Sequence, residues 1–123
     1  MDIGRVVKEY VCLESESYLN SGTNYDPQIQ DLVDFSLTEE GINLDIARAI
    51  LVGFNEIATN NYFKRIDLVG HNPIEVAEAK ISQKIAEASG KKYIATLTKL
   101  LGKDESKQFL EENQERIRWI LKS

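Results

Sequence analysis

The sequence predicts an all-α protein, a compact antiparallel bundle of five or six helices in a single domain spanning residues 1–123. Apolar residues recur at three- and four-residue spacing along most of the chain, which is the period of an amphipathic helix. Proline and glycine stand where these segments would begin and end, and the connections between them are short. Neither the strand–helix rhythm of a parallel sheet nor a hairpin turn signal competes with this pattern.

The first two predicted helices lie in the acidic part of the chain. Residues 2–20 have one apolar face and end at the breaker cluster Asn20-Ser21-Gly22. Asp26-Pro27 begins the second helix, because an acidic cap is followed by proline at the first helical position, where its missing N–H is not needed. Gly41 is expected to end this helix.

Clear boundary signals define the next two helices. Asn43 can cap the third and longest helix, about residues 44–69, and Gly70 follows it. Asn72-Pro73 begins the fourth helix, and Gly90 is expected to stop it. The inward positions of these two helices are predicted to be Ala47, Ile50, Leu51, Phe54, Ile57 and Ala58, then Ile74, Ala77, Ile81, Ile85 and Ala88.

The remaining chain predicts a fifth segment that ends at Gly102 and a last helix capped by Asp104. Residues 93–98 are rich enough in Tyr, Ile and Thr to form a strand instead of a helix. The core positions predicted here are Tyr93, Ile94, Leu97, Leu100 and Leu101, followed by Phe109, Leu110, Asn113, Ile117, Ile120 and Leu121.

Charge is distributed unevenly along a chain whose formal net charge is −5. Residues 1–40 hold nine acids and two bases, residues 41–72 hold three of each, and residues 73–123 hold eight acids and ten bases. Phosphate would repel the acidic part at long range, so general nucleic-acid binding is disfavoured. An acidic surface would instead attract a basic protein.

Cysteine and histidine content excludes several kinds of chemistry. Cys12 is the one cysteine and His71 the one histidine, so neither an intrachain disulfide nor a Cys/His zinc site can form, and no cofactor is expected. The N-terminal residues lack the zones of a signal peptide, and no apolar run is long enough to span a membrane. These absences favour a cytoplasmic protein.

Size, acidity and the shortage of catalytic side chains favour a non-enzymatic binding protein. Bacterial immunity proteins and antitoxins share these traits, and such a protein would inhibit a basic partner such as a nuclease toxin. The residues expected to contact the partner are the carboxylates of the first third: Glu14, Glu16, Asp26, Asp31, Asp34, Glu39 and Glu40.

An alternative function rests on Arg65 and His71, which are separated by five residues. This spacing resembles the Arg-x4–6-His signature of the HEPN superfamily, small helical domains that often act as RNases. The resemblance implies that His71 moves a proton and that Arg65 stabilises phosphate charge in the transition state. The residue after the arginine is Ile66, where the family commonly has a polar residue.

A third hypothesis concerns residues 81–101. Ala86 and Gly90 have the spacing of the first helix and turn of a repressor-type helix-turn-helix, which residues 81–90 resemble. Lysines such as Lys91 and Lys92 could then contact phosphates. The second half departs from the pattern, because Lys91 and Thr96 occupy positions that should be apolar.

Trp119 lies off the apolar stripe of the last helix. Its side chain could cover the rim of the core or anchor an interface.

Overall fold

A computed structural model describes residues 33–67 and 72–123, and every regular element within these ranges is helical. Helix α1 spans Leu44–Asp67, α2 Pro73–Leu101, α3 Lys103–Asn113 and α4 Arg118–Lys122, and residues 33–35 are also helical. The chain is therefore all-α, as predicted. The predictions for a helix over residues 2–20, for a helix start at Asp26-Pro27 and for a stop at Gly70 lie outside the described residues.

Two asparagines begin the long helices, as the sequence predicts. The Oδ1 atom of Asn43 accepts hydrogen bonds from the backbone N–H groups of Asp45 and Ile46, at 2.9 and 3.2 Å. The Oδ1 atom of Asn72 likewise accepts from the backbone N–H groups of Ile74 and Glu75. These bonds satisfy donors that have no partner within the helix, which fixes where α1 and α2 start.

Helix α2 is one continuous helix of 29 residues, which corrects two predictions and decides one alternative that the sequence left open. Gly90 lies inside the helix and does not end it. The segment Tyr93–Thr98 is helical and is not a strand. Residues 81–101 contain no turn, so the helix-turn-helix geometry is wrong for this segment.

Gly90 is tolerated inside α2 because another helix packs directly on it. A Cβ atom at this position would lie 2.7 Å from Cδ1 and 3.0 Å from Cγ2 of Ile120, which is fully buried in α4. Glycine weakens a helix through its backbone entropy, and for this reason the sequence predicted a stop. Here the missing side chain instead makes room for Ile120.

Helices α1 and α2 form an antiparallel hairpin that contains most of the described core. Five residues separate Asp67 from Pro73 in the sequence, and Phe54 of α1 lines the same small cleft as Tyr93 of α2. Buried positions alternate at spacings of three and four residues in both helices, as in coiled-coil packing. They include Ala47, Leu51, Phe54 and Ala58 in α1 and Ala79, Gln83, Ala86, Gly90, Tyr93 and Leu97 in α2.

The predicted inward face of the first half of α2 is therefore wrong. Ile74 is 71% exposed, Ala77 and Ala88 are also exposed, and Ile81 and Ile85 are half-buried. The true seam is lined by alanine, glycine and glutamine, which allow the two helices to approach closely but carry little hydrophobic signal. By contrast, all six of the predicted inward positions of α1 are buried.

The segment before α1 consists of turns. Helical residues end at Phe35, whereas the sequence placed the helix end at Gly41. The hydroxyl of Ser36 donates to the carbonyl of Val33, and the hydroxyl of Thr38 donates to the carbonyl of Phe35. Such local side-chain bonds compete with continued helical bonding, which explains the early end.

The last part of the chain forms two helices where the sequence predicted one. Gly102 separates α2 from α3 with a φ of +85°, so its predicted place at a helix end is confirmed. Asp104 lies in the first turn of α3 and is not its cap. Helix α3 ends at Asn113, whose side chain donates to the carbonyl of Phe109, and residues 114–117 form turns before α4.

Helix α4 closes the core over the α1–α2 hairpin. Its backbone N–H at Ile120 donates to Oδ1 of Asn55 in α1, at 3.1 Å. This N–H lies in the first turn of α4, where it has no partner within the helix. Ile117 and Ile120 are completely buried, and Phe109 of α3 joins the same core.

Candidate functional site

A cleft of about 510 Å³ lies between α1, α2 and α4, and we call it the α4 cleft. Side chains of several chemical types line it, including an aromatic ring, a carboxylate and two cations. Its volume falls within the range of roughly 300–1,000 Å³ that is usual for small-molecule sites. The lining residues are Asn55, Thr59, Glu87, Arg118, Trp119, Lys122 and Ser123.

Glu87 and Trp119 form the central contact of the α4 cleft. The indole Nε1–H of Trp119 donates to Oε2 of Glu87 at 2.7 Å, joining residues that are 32 positions apart in sequence. The Glu87 side chain is only 12% exposed. A partly buried carboxylate needs hydrogen-bond donors, and the indole supplies one that also fixes the orientation of the tryptophan ring.

Two neighbours on α2 also face Glu87. The side-chain amide of Gln83 donates to Oε2 at 3.2 Å, and Nζ of Lys84 lies 3.9 Å from Oε1. Gln83 is itself buried, and its Oε1 has no hydrogen-bond partner among the described residues. Turning the amide over would place this oxygen against the Glu87 carboxylate, so repulsion between the two acceptors maintains the observed orientation.

An aromatic pair backs the α4 cleft on the side of α1. The rings of Tyr62 and Trp119 are 4.8 Å apart between centroids and are tilted by 49°. The guanidinium carbon of Arg65 lies 5.6 Å from the centroid of the Tyr62 ring. Trp119 is half-buried, so it covers the edge of the core and at the same time presents part of its surface to the cleft.

The opening of the α4 cleft carries positive charge. Arg118 and Lys122 are both exposed and lie four residues apart on α4, which places them on one side of that helix. Among the described side chains that line the cleft, Glu87 is the one carboxylate. The cleft therefore has a cationic rim, although the chain as a whole is acidic.

The predicted acidic surface is described only in part. Asp34, Glu39 and Glu40 are exposed. The segment 33–41 also exposes Phe35, 56% of which is accessible to solvent. The other predicted contact residues, Glu14, Glu16, Asp26 and Asp31, lie outside the described residues.

Asp34 differs from the other two carboxylates in its surroundings. It lines a small cleft with Lys92 and Tyr93 of α2, so a basic side chain lies close to it. The hydroxyls of Tyr93 and Ser36 are 2.9 Å apart and share a buried hydrogen bond. Burial raises the pKa of the Tyr93 phenol, and the bond with Ser36 offsets part of this rise.

The described residues include Arg65 but not His71, so the distance between the two side chains is not defined. Arg65 is half-buried near the end of α1, with its guanidinium over Tyr62, and His71 lies outside the described ranges. The RNase hypothesis thus stays a prediction. The lysines Lys91 and Lys92 are exposed on the continuous helix α2 and not in a turn and recognition helix.

Within residues 33–67 and 72–123, no group of three or more His, Cys, Asp or Glu side chains could hold a metal ion. No helix in those ranges is long and apolar enough to cross a membrane. No protein-family model matches the chain, and no curated protein or solved structure is detectably similar to it.

The sequence contained one signal for the α4 cleft and none for its carboxylate. Trp119 lies about 90° off the stripe of buried residues near the end of the chain, since successive helical residues point about 100° apart. That displacement indicated a rim or interface position. Glu87 lies on α2 between Lys84 and Lys91, and nothing in its sequence neighbourhood distinguishes it from a solvated side chain.

Proposed function

We propose that this chain is a non-enzymatic cytoplasmic binding protein that inhibits a basic partner, as bacterial immunity proteins and antitoxins do. A partner such as a nuclease toxin would present lysine and arginine side chains to the acidic first third of the chain. Carboxylates facing that surface would speed the encounter and occupy the sites that otherwise bind phosphate. We further propose that residues 1–32 complete a compact bundle of five or six helices.

The observation that supports this proposal is the composition of segment 33–41. Glu39 and Glu40 are exposed next to each other, and the exposed ring of Phe35 belongs to the same short segment. Protein interfaces commonly combine an aromatic anchor with charges that steer association. The hydroxyl of Thr38 accepts from the N–H of Gly41 and donates to the carbonyl of Phe35, so hydrogen bonds hold this segment in a defined shape.

Charge reversal at Glu39 and Glu40 tests the proposal. The wild-type protein, Glu39→Lys/Glu40→Lys and the control Glu111→Lys/Glu112→Lys are used to capture partners from native cell extract. The control reverses another adjacent and exposed pair, in a part of the chain where bases and acids are mixed. Asp34 is left unchanged because Lys92 lies close to it.

The captured partner should be basic, and its activity should fall when wild-type protein is added. Association should slow as salt rises, and it should slow by at least about tenfold in Glu39→Lys/Glu40→Lys but hardly at all in the control. Equal association of the partner with both double variants would refute the acidic surface. RNA cleavage by the purified protein that disappears in His71→Ala would replace binding with the RNase function.

A further inference from the structure

The α4 cleft has the features of a small-ligand site that the proposed inhibitor role does not use. We propose that it binds a planar nitrogen-containing ring that carries an anionic group, the chemistry of a nucleoside monophosphate. In this arrangement the ring lies against Trp119 and the anion lies on Arg118 and Lys122. The inference stands on different residues from segment 33–41 and does not depend on it.

Trp119 provides an aromatic surface whose orientation is fixed by its neighbours. Its indole N–H is held by Glu87 at 2.7 Å, and Tyr62 packs against it at 4.8 Å between centroids. A ring fixed from two sides loses little conformational freedom when a ligand stacks on it, which favours binding. Stacking of a base on an aromatic side chain is tolerant of the identity of the base and contributes through its planar face.

Glu87 favours a ring that has an N–H donor. A carboxylate offers about four lone-pair positions. Among the described residues, the donors of Trp119 and Gln83 both bond to Oε2, and Nζ of Lys84 lies 3.9 Å from Oε1. Oε1 therefore retains acceptor capacity at the cleft, which a ring amine can use and a purely hydrocarbon ring cannot.

Arg118 and Lys122 account for the anionic group. Both side chains line the cleft from one side of α4, one helical turn apart. Guanidinium groups match phosphate oxygens with paired N–H donors, and an ammonium group adds a compact positive charge. Two cations at the opening and one partly buried carboxylate inside would orient a ligand that has an anion at one end and a donor ring at the other.

Trp119 is the one tryptophan in the chain, so its fluorescence reports on the cleft without a label. The full chain is titrated with AMP, with adenosine and with inorganic phosphate, and excitation is at the red edge of the tryptophan band, where adenine does not absorb. We expect a saturable change with AMP. Adenosine and inorganic phosphate should each bind at least about tenfold more weakly, because each lacks one of the two contacts.

Two charge-reversal variants with the same change in net charge complete the test. Arg118→Glu/Lys122→Glu should weaken AMP binding by at least about tenfold, whereas Lys99→Glu/Lys103→Glu, which changes two exposed lysines that do not line the cleft, should leave it within about twofold. Circular dichroism checks that both variants keep the helical fold, and Arg118→Ala/Lys122→Ala provides a milder substitution.

Three results would overturn this inference. The first is no saturable change with AMP at millimolar concentration, as expected if another part of the chain fills the cleft. The second is an equal response to AMP and inorganic phosphate, which would mean that the ring makes no contact. The third is equal weakening in both charge-reversal variants, which would assign the effect to overall charge.

Discussion

Replacing Gly90 with alanine sets two physical effects against each other. Alanine in a helix interior is favoured over glycine by about 0.5–1 kcal/mol, so helix propensity alone predicts that Gly90→Ala is more stable. The new Cβ would lie 2.7 Å from Cδ1 and 3.0 Å from Cγ2 of Ile120. Overpacking a buried contact typically costs about 1–3 kcal/mol, and Ile120 is fully buried, so it has little room to move.

The difference between the two effects is about 0–2.5 kcal/mol, so we expect Gly90→Ala to lower the free energy of unfolding by about 1 kcal/mol. Urea denaturation followed by circular dichroism measures this directly. Ile120→Val removes the Cδ1 atom and should cost about 0.5–1.5 kcal/mol in the wild-type chain, but clearly less in the Gly90→Ala background.

A matched control is Gly102→Ala. This substitution is destabilising because of the positive φ of +85°, and the added Cβ would have no atom of the described residues within 4 Å apart from its own chain neighbours. It should therefore show no coupling to Ile120→Val. A Gly90→Ala protein that is more stable than wild type by about 0.5–1 kcal/mol would refute the close contact between α2 and α4.

Two further substitutions test the helix starts and the buried phenol. Asn72→Ala should lower the free energy of unfolding by about 1 kcal/mol because two N–H groups lose their acceptor, whereas Asp104→Ala should change it little. Equal losses in urea denaturation would contradict this assignment of caps. Tyr93→Phe should cost about 0.5–1.5 kcal/mol near neutral pH, through its lost bond with Ser36. The pKa of Tyr93 in the folded state is raised above the usual 10.0, so the wild-type protein should lose stability as pH rises above about 10. Tyr93→Phe should not show this loss. If the stability of both proteins changed with pH in the same way, the prediction would be contradicted.

The sequence predicts the fold best where one residue type determines local geometry. Asn43 and Asn72 cap helices because their short side chains reach the first backbone donors, and Gly102 tolerates a positive φ. These effects act within a few residues and need no knowledge of the tertiary structure. The apolar stripe of α1 is equally clear, because large residues such as Phe54 mark its buried side.

The buried positions of α2 show why other parts of the core could not be predicted from the sequence. Its buried positions include Ala79, Gln83 and Gly90, whereas the more hydrophobic Ile74 is exposed. Close approach of two helices selects for small side chains, and a hydrophobic pattern cannot distinguish this from a polar surface. The α4 cleft was hidden for a related reason, since Glu87 and Trp119 meet only after α4 has packed across the hairpin.

The alternating spacing of buried residues in α2 also limits how the length of this hairpin can change. Removing one residue between Gly90 and Tyr93 would rotate everything that follows by about 100° around the helix axis. Tyr93 and Leu97 would then leave the seam, and Ile94 and Thr98 would turn towards it. Adding seven residues to both α1 and α2 would return the buried residues to nearly the same side of each helix, with an angular drift of only about 20°. Viable length variants of this protein should therefore change both helices together, by whole heptads.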